Sequence, residues 1–323
     1  MRRVTFFFTE LARDIFNVTF TLFKVMIPIL IVIKVLEEFG AIILLSEFIA
    51  PLMQSVGLPS SMGLVWATTL LTNIYGGLIV LVSLDTQLSV AQASVLGSMM
   101  LLAHSLPIEA AIAKKAGVSL WITLLVRIGG SLVLAWLLHN IYQSSGVLAQ
   151  PAQILWTPDT QYDPSYMAWA LDQLVNLVMV FVVIAVLLFS LKILKLLGIE
   201  KLMAVVLRPF LRLLNIGDEA INLTIIGITL GLSFGGGLLI NEARKGHIKA
   251  RDIFTAIMLL NLLHSLIEDT LLILLIGADF NTIFWGRLVF SLVVVALING
   301  LLTRLSSQAC ERFFYKNVAL SKG

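Results

Sequence analysis

Apolar residues in this chain run in unbroken stretches, and most of the charge is held in short segments between them. Each stretch is about 20 residues long, the length a helix needs to cross hydrocarbon. None shows the period-two alternation of a membrane barrel strand, so a barrel is excluded. The pattern predicts six crossings, at about 15–36, 90–113, 118–139, 168–191, 252–276 and 283–303. Two further apolar segments, 58–84 and 218–240, are interrupted by glycine, in TNIYGG (72–77) and SFGGG (233–237).

The pattern occurs twice. Gly76, Gly77, His104, Ser105, Leu106, Gly117 and Arg127 recur as Gly236, Gly237, His264, Ser265, Leu266, Gly277 and Arg287 at one constant spacing. Upstream, at a spacing two residues shorter, Asp14, Lys34, Gly40 and Pro51 recur as Asp172, Lys192, Gly198 and Pro209, and Gly57 pairs with Gly217 across the slippage. Internal duplication of this kind marks a transporter scaffold. Four segments follow: a first repeat at 1–145, a connector at 146–166, a second repeat at 167–305 and a basic tail at 306–323.

Loop charge gives each copy its direction, because Lys and Arg are retained on the cytoplasmic side of short loops. Arg2, Arg3 and Arg13 place the N-terminus inside. No Lys or Arg occurs from Val35 to Ala113. Lys114 and Lys115 bring the chain inside again, and the connector, with Asp159 and Asp163 and no basic residue, lies outside. In the second copy the signs reverse: Lys192, Lys195, Lys201, Arg208 and Arg212 mark one inside loop, and Arg244, Lys245, Lys249 and Arg251 another. The tail, with Arg304, Arg312 and Lys316, is inside. The two copies are therefore predicted to insert in opposite senses, as inverted-topology repeats. Segment 58–84 begins and ends outside and 218–240 begins and ends inside. Each is expected to be a re-entrant hairpin with glycine near its tip; the alternative is a simple crossing whose glycines serve helix packing.

Composition agrees. Of 323 residues, 59% are apolar and 13% charged, against roughly 25% charged in soluble domains, and the mean hydropathy is +0.99. The expected class is an all-α integral membrane protein of the bacterial inner membrane, with both termini cytoplasmic. The first apolar segment is too long for a signal-peptide core and is expected to be retained. The single cysteine, Cys310, permits no intramolecular disulfide and no cysteine-based metal motif.

Ionisable residues at bilayer depth are costly and mark pathways or internal networks. His104 and His264 fall near the middle of their predicted helices, in HSLPIE and HSLIED. On a continuous helix Glu268 shares a face with His264, while Asp269 is one step further round and Glu109 is its counterpart. Pro107 is expected to kink the first copy. Such a group could move a proton, since imidazole titrates near neutrality, could hydrogen-bond a polar solute, or could lock the two copies together. As an alternative, His104, His264, Glu268 and Asp269 offer the donor types of a borderline divalent cation. Arg127 and Arg287 are deep enough to need acidic partners, and Lys24 also needs one. Asn73, Asn241 and Glu242 flank the glycines as candidate ligand contacts.

No phosphate-binding loop of the GxxxxGK[ST] type, no HExxH and no GxSxG elbow occurs, so neither ATP-driven pumping nor hydrolysis has motif support. No enzyme activity, cofactor or nucleic-acid partner is expected. The expected partners are the bilayer and a small polar solute, and a homo-oligomer is compatible with the pattern.

The run GGGLLINEARKG (235–246), followed by LLHSLIEDTLLILLIGAD (262–279), resembles the nucleoside-recognition, or gate, family of bacterial membrane proteins. Related domains occur in spore maturation proteins A and B, in the membrane part of ferrous-iron transporter B and in concentrative nucleoside transporters. In the relatives that transport, paired hairpins and broken helices form the substrate site. The resemblance implies a substrate-binding role for Gly76, Gly77, Gly236, Gly237, His264, Glu268 and Asp269. By position in the two copies, Asn73, His104, Glu109 and Ser265 complete the candidate site. The first copy departs from the pattern at Tyr75 and Ile108.

Overall fold

The computed structural model describes residues 2–84, 86–155, 165–246 and 248–316; Asp85, Asp159, Asp163 and residues 317–323 lie outside it. Among the described residues the chain is helical, with two isolated bridges as its only β pairing. It is an all-α integral membrane protein. Five helices are long and apolar enough to span: Val90–Lys115, Leu120–Ser145, Tyr166–Leu196, Ala250–Leu274 and Asn281–Arg304. The sixth expected crossing, 15–36, falls within a longer helix, Arg2–Glu38, which does not count among those five.

The elements come in the same order twice. The first series is α1 (Arg2–Glu38), α2 (Ala41–Ser55), α3 (Met62–Leu71), α4 (Ile74–Ser83), α5 (Val90–Leu102), α6 (Leu106–Lys115), α7 (Leu120–Leu124) and α8 (Gly130–Ser145), the last two joined by a π-helical turn at Leu125–Gly129. The second is α9 (Tyr166–Leu196), α10 (Ile199–Leu213), α11 (Asp218–Leu230), α12 (Leu232–Lys245), α13 (Ala250–Leu263), α14 (Leu266–Leu274), a π-helical turn at Asn281–Gly286 and α15 (Arg287–Arg304); α16 (Ser307–Phe313) follows. Recurring residues take recurring places. Gly40 and Gly198 make the left-handed turns after α1 and α9, at φ 66° and 76°, a conformation that suits glycine. Pro51 and Pro209 lie inside α2 and α10. On α10, Arg208 and Arg212 alternate with exposed Leu202, Val205 and Leu213, the pattern of a helix lying in a membrane interface.

α3 packs back on α4, and α11 on α12, so both glycine-interrupted segments are helical hairpins. The first turns at Thr72–Asn73 and the second at Gly231. The glycines picked out by sequence sit just past the turns, in the opening residues of α4 and α12. Between the hairpins stand the spans α5–α6 and α13–α14. Each is 72% buried over its apolar window, against 22–33% for the spans Leu120–Ser145, Tyr166–Leu196 and Asn281–Arg304. The two central spans therefore form the protein interior, and the other three present most of their surface outward.

Hydrogen bonds fix the sense of the two central spans. At the start of α5, Val90 N–H donates to Gln150 and Ala152 N–H to Leu88, while Leu155 N–H donates to Leu275 at the end of α14. The beginning of one span and the end of the other thus lie at the same end of the molecule, beneath the connector. At the opposite end Ser119 N–H donates to Phe314 and Lys316 N–H to Gly117, which pins the tail beside the end of α6. The span Val90–Lys115 has 26 residues, a rise of roughly 39 Å against a hydrocarbon core of about 30 Å. Corresponding spans therefore run antiparallel, and connector and tail lie at opposite ends. In a Cys310→Ser background, Gln150→Cys and Arg312→Cys should label from opposite faces of sealed vesicles. Labelling of both from one face would contradict this arrangement.

Candidate functional site

Each central span breaks at the same place. α5 ends at Leu102, Ser105 adopts φ 50° and α6 begins at Leu106; α13 ends at Leu263, Ser265 adopts φ 46° and α14 begins at Leu266. Left-handed backbone at a residue other than glycine costs about 1–2 kcal/mol. Finding it twice, at equivalent serines, marks the break as built into the fold. Pro107 does not cause it. Pro107 occupies the first turn of α6, where its missing N–H is harmless, and the second copy breaks with Ile267 in that place.

A helix broken inside the protein leaves carbonyl oxygens without donors. The two buried arginines supply them. Arg127 Nη2 donates to His104 O at 2.8 Å and Arg287 Nη2 to His264 O at 2.8 Å, while Arg287 Nε also donates to Leu262 O at 2.9 Å. Both side chains are 0% exposed. Arg127 lies within a π-helical turn and Arg287 directly after one; an extra residue per turn shifts the register of a helix face. The arginine partners foreseen from sequence were acidic residues. Arg127 pairs closely with Glu109 and Arg287 stands 4.0 Å from Asp269, and both arginines also share the role of closing the break.

The break also brings the histidines together. His104 Nδ1 lies 3.0 Å from Met100 O and His264 Nδ1 lies 2.7 Å from Leu260 O. A carbonyl only accepts, so each Nδ1 carries a proton, which leaves each Nε2 as a lone pair in the neutral ring or a second donor in the charged one. The two Nε2 atoms meet at 2.9 Å, with ring centroids 4.8 Å apart. The carboxylates reach across the repeats. Glu109 Oε1, from the first copy, is 3.1 Å from His264 Nε2 and 3.4 Å from His104 Nε2, and its Oε2 accepts from Arg127 Nη1. Asp269 Oδ2, from the second copy, is 3.8 Å from His104 Nε2 and 4.0 Å from Arg287 Nη2, and has no hydrogen-bond partner. All six side chains are buried.

Glu268 corrects the helical-face expectation. His264 is extended, at φ −72° and ψ 163°, so four-residue spacing across it does not align side chains. Asp269 joins the histidines, while Glu268 lines a cavity of about 460 Å³ with Glu10 and Asp14 of α1, Lys192 of α9 and Thr229 at the end of α11. Lys192 Nζ forms ion pairs with Asp14 at 2.8 Å and Glu10 at 3.2 Å. Sequence reasoning did not find this cavity, although Asp14 and Lys192 both belong to the repeat signature.

The hairpin residues have structural duties. Asn73 caps α4, its Oδ1 accepting from Gly76 N–H at 2.9 Å. The first tip docks on the first break: Ser105 N–H donates to Thr69 O at 3.1 Å and Ser105 Oγ to Thr72 O at 2.8 Å. A Cβ on Gly77 would lie 1.9 Å from Thr69 Oγ1 and 2.9 Å from Met100 Cε, so glycine there lets the hairpin close against α5. In the second copy the tight place is Gly231, at φ 93°, where a Cβ would stand 2.9 Å from Ser265 Oγ; a Cβ on Gly237 meets nothing within 4 Å. Gly236 lies in the same opening stretch of α12. Glu242 bonds Lys245 on α12, and Lys24 stands 4.2 Å from the Phe20 ring.

Among curated proteins the chain is similar to "Uncharacterized membrane protein YvoD" of Bacillus subtilis (strain 168), 27% identical over 266 residues that cover 81% of this chain and 84% of that protein. No family model matches. No solved structure matches either. The relationship supports a membrane protein and goes no further.

Arg287→Met should destabilise the protein by about 3 kcal/mol or more, since it strands two buried carbonyls and a carboxylate. Arg287→Lys should recover part of this, because an ammonium keeps the charge but loses the planar fork. Thermal unfolding in detergent measures both, and a wild-type melting curve for Arg287→Met would show that the carbonyls are satisfied by other means.

Proposed function

We propose that this chain is a transporter of the nucleoside-recognition (gate) type, which moves a small polar solute, nucleoside-like in size and polarity, across the bacterial inner membrane by alternating access. The observation that carries the reading is the cavity between α1, α9 and α14. Its volume of about 460 Å³ lies within the 300–1,000 Å³ typical of small-ligand pockets. Lys192, Glu10, Asp14 and Glu268 line it, and charged groups at such positions are stable only where water or a polar ligand reaches them. By the loop charges, the cavity opens to the cytoplasm, with Glu268 and the second hairpin at its inner side.

Antiparallel repeats give the cavity a counterpart. Asp14 on α1 faces Lys192 on α9; their repeat mates are Asp172 on α9 and Lys34 on α1. α1 and α9 pack together, so the mates lie towards the other end of one helix pair, where Lys34 pairs with Glu38 at 3.0 Å. Rocking one repeat against the other would close the first end and open the second around the fixed histidine junction, as inverted repeats allow. The mate of Glu268 is Ile108, so the two openings differ in chemistry, and solute recognition is assigned to the Glu268 side. The resemblance of the 235–279 region to gate domains supports the same choice of function.

Purified protein in liposomes should take up a labelled nucleoside or a similar small polar solute. Glu268→Gln should lower uptake by at least about tenfold, the effect of one lost charge-assisted hydrogen bond of about 1.5–3 kcal/mol. A folded protein that moves none of a panel of nucleosides, nucleobases and small polar solutes would favour a non-transporting membrane scaffold.

A further inference from the structure

Four side-chain nitrogen and oxygen atoms that can act as metal ligands gather where the repeats meet. His104 Nε2 and His264 Nε2 are 2.9 Å apart, Glu109 Oε1 lies 3.1 and 3.4 Å from them, and Asp269 Oδ2 lies 3.8 Å from His104 Nε2. The remaining atoms of three of these groups are committed. Both Nδ1 atoms donate to main-chain carbonyls, and Glu109 Oε2 accepts from Arg127. Asp269 Oδ2 is buried and has no hydrogen-bond donor. Acceptors facing one another in a dry interior repel unless a positive centre stands between them.

We propose that His104, His264, Glu109 and Asp269 together bind one divalent transition-metal ion of the Zn²⁺, Fe²⁺ or Co²⁺ kind. Ligand atoms about 2.0–2.2 Å from a common ion stand about 2.9 Å apart at a right angle and about 3.4 Å apart at the tetrahedral angle. The three shortest edges of the cluster fall in that range, and the ligand atoms of Asp269, His104 and His264 lie within 4.8 Å of one another. Two imidazoles with two carboxylates select a borderline ion over Ca²⁺ or Mg²⁺, which prefer oxygen throughout. The Nδ1–carbonyl bonds are the outer contacts that fix a ligating imidazole in the tautomer with Nε2 free. Arg127 holds Glu109 by its far oxygen and leaves the near one for the ion.

The two guanidiniums also limit affinity. With both carboxylates ionised, Arg127 and Arg287 already neutralise them, so an added dication is held against uncompensated charge. The ion is therefore held more weakly than a permanently locked structural zinc. This inference does not rest on solute transport through the Glu268 cavity, and its readout is independent of uptake.

The full chain, purified in detergent and stripped with a chelator, would be dialysed against Zn²⁺ or Co²⁺. One equivalent per chain is expected, with visible Co²⁺ absorption characteristic of nitrogen and oxygen ligands. Asp269→Asn, nearly isosteric, removes the charge 4.0 Å from Arg287 Nη2 and should weaken binding about tenfold or more, with circular dichroism confirming that it folds. His104→Gln should abolish the absorption, with circular dichroism confirming the fold. Absence of stoichiometric metal on folded wild-type protein, or binding unchanged in Asp269→Asn, would overturn the assignment. So would a nitrogen NMR signal showing an imidazolium proton shared by the two rings in metal-saturated buffer, since a proton would then be the positive centre.

Discussion

A helix interrupted inside a bilayer exposes carbonyl oxygens that water cannot reach, and every other feature of this molecule's centre depends on how they are satisfied. The solution is the same in both repeats: an arginine from the following span donates to the histidine carbonyl, at 2.8 Å in each case. Without the break the histidines would remain one turn of a continuous helix and could not meet. Without the arginines the break would strand buried acceptors at about 1–3 kcal/mol each. The π-helical turns that bring Arg127 and Arg287 into place follow from the same requirement.

Near-symmetry makes the differences informative. Glu109 and Asp269 occupy equivalent positions, yet one methylene separates their reach. Glu109 forms a close pair with Arg127, whereas Asp269 remains 4.0 Å from Arg287 and unpaired at Oδ2. One repeat thus has a neutralised arginine–carboxylate unit, and the other keeps a carboxylate oxygen free at the junction. The next position along differs more sharply: Glu268 lines a polar cavity, while its mate Ile108 is 60% exposed. A duplicated scaffold with its polar groups concentrated on one side is what a directional binding site requires.

Much of this was legible in the sequence because duplication shows itself without structural knowledge. The recurrence of His-Ser, of a deep arginine and of paired glycines marked the centre, and the reversal of loop charge anticipated that corresponding spans run antiparallel. Site details failed where local backbone departs from a regular helix. Nothing in the HSLIED run announces a left-handed serine, so four-residue spacing put Glu268 beside His264 when Asp269 belongs there. Pro107 pointed to irregularity in one copy for the wrong reason, since the other breaks without proline. Gly231 was overlooked because its counterpart is Leu71; the two hairpins turn by different means, an asparagine cap in one and a positive-φ glycine in the other.

The same break links stability to function. A continuous helix through the centre would bury more main-chain hydrogen bonds and avoid two strained serines, so stability alone does not account for it. It brings two helix ends, two imidazoles and two carboxylates together and docks the first hairpin tip on Ser105. The first hairpin and the histidine junction therefore share Ser105 as a direct contact.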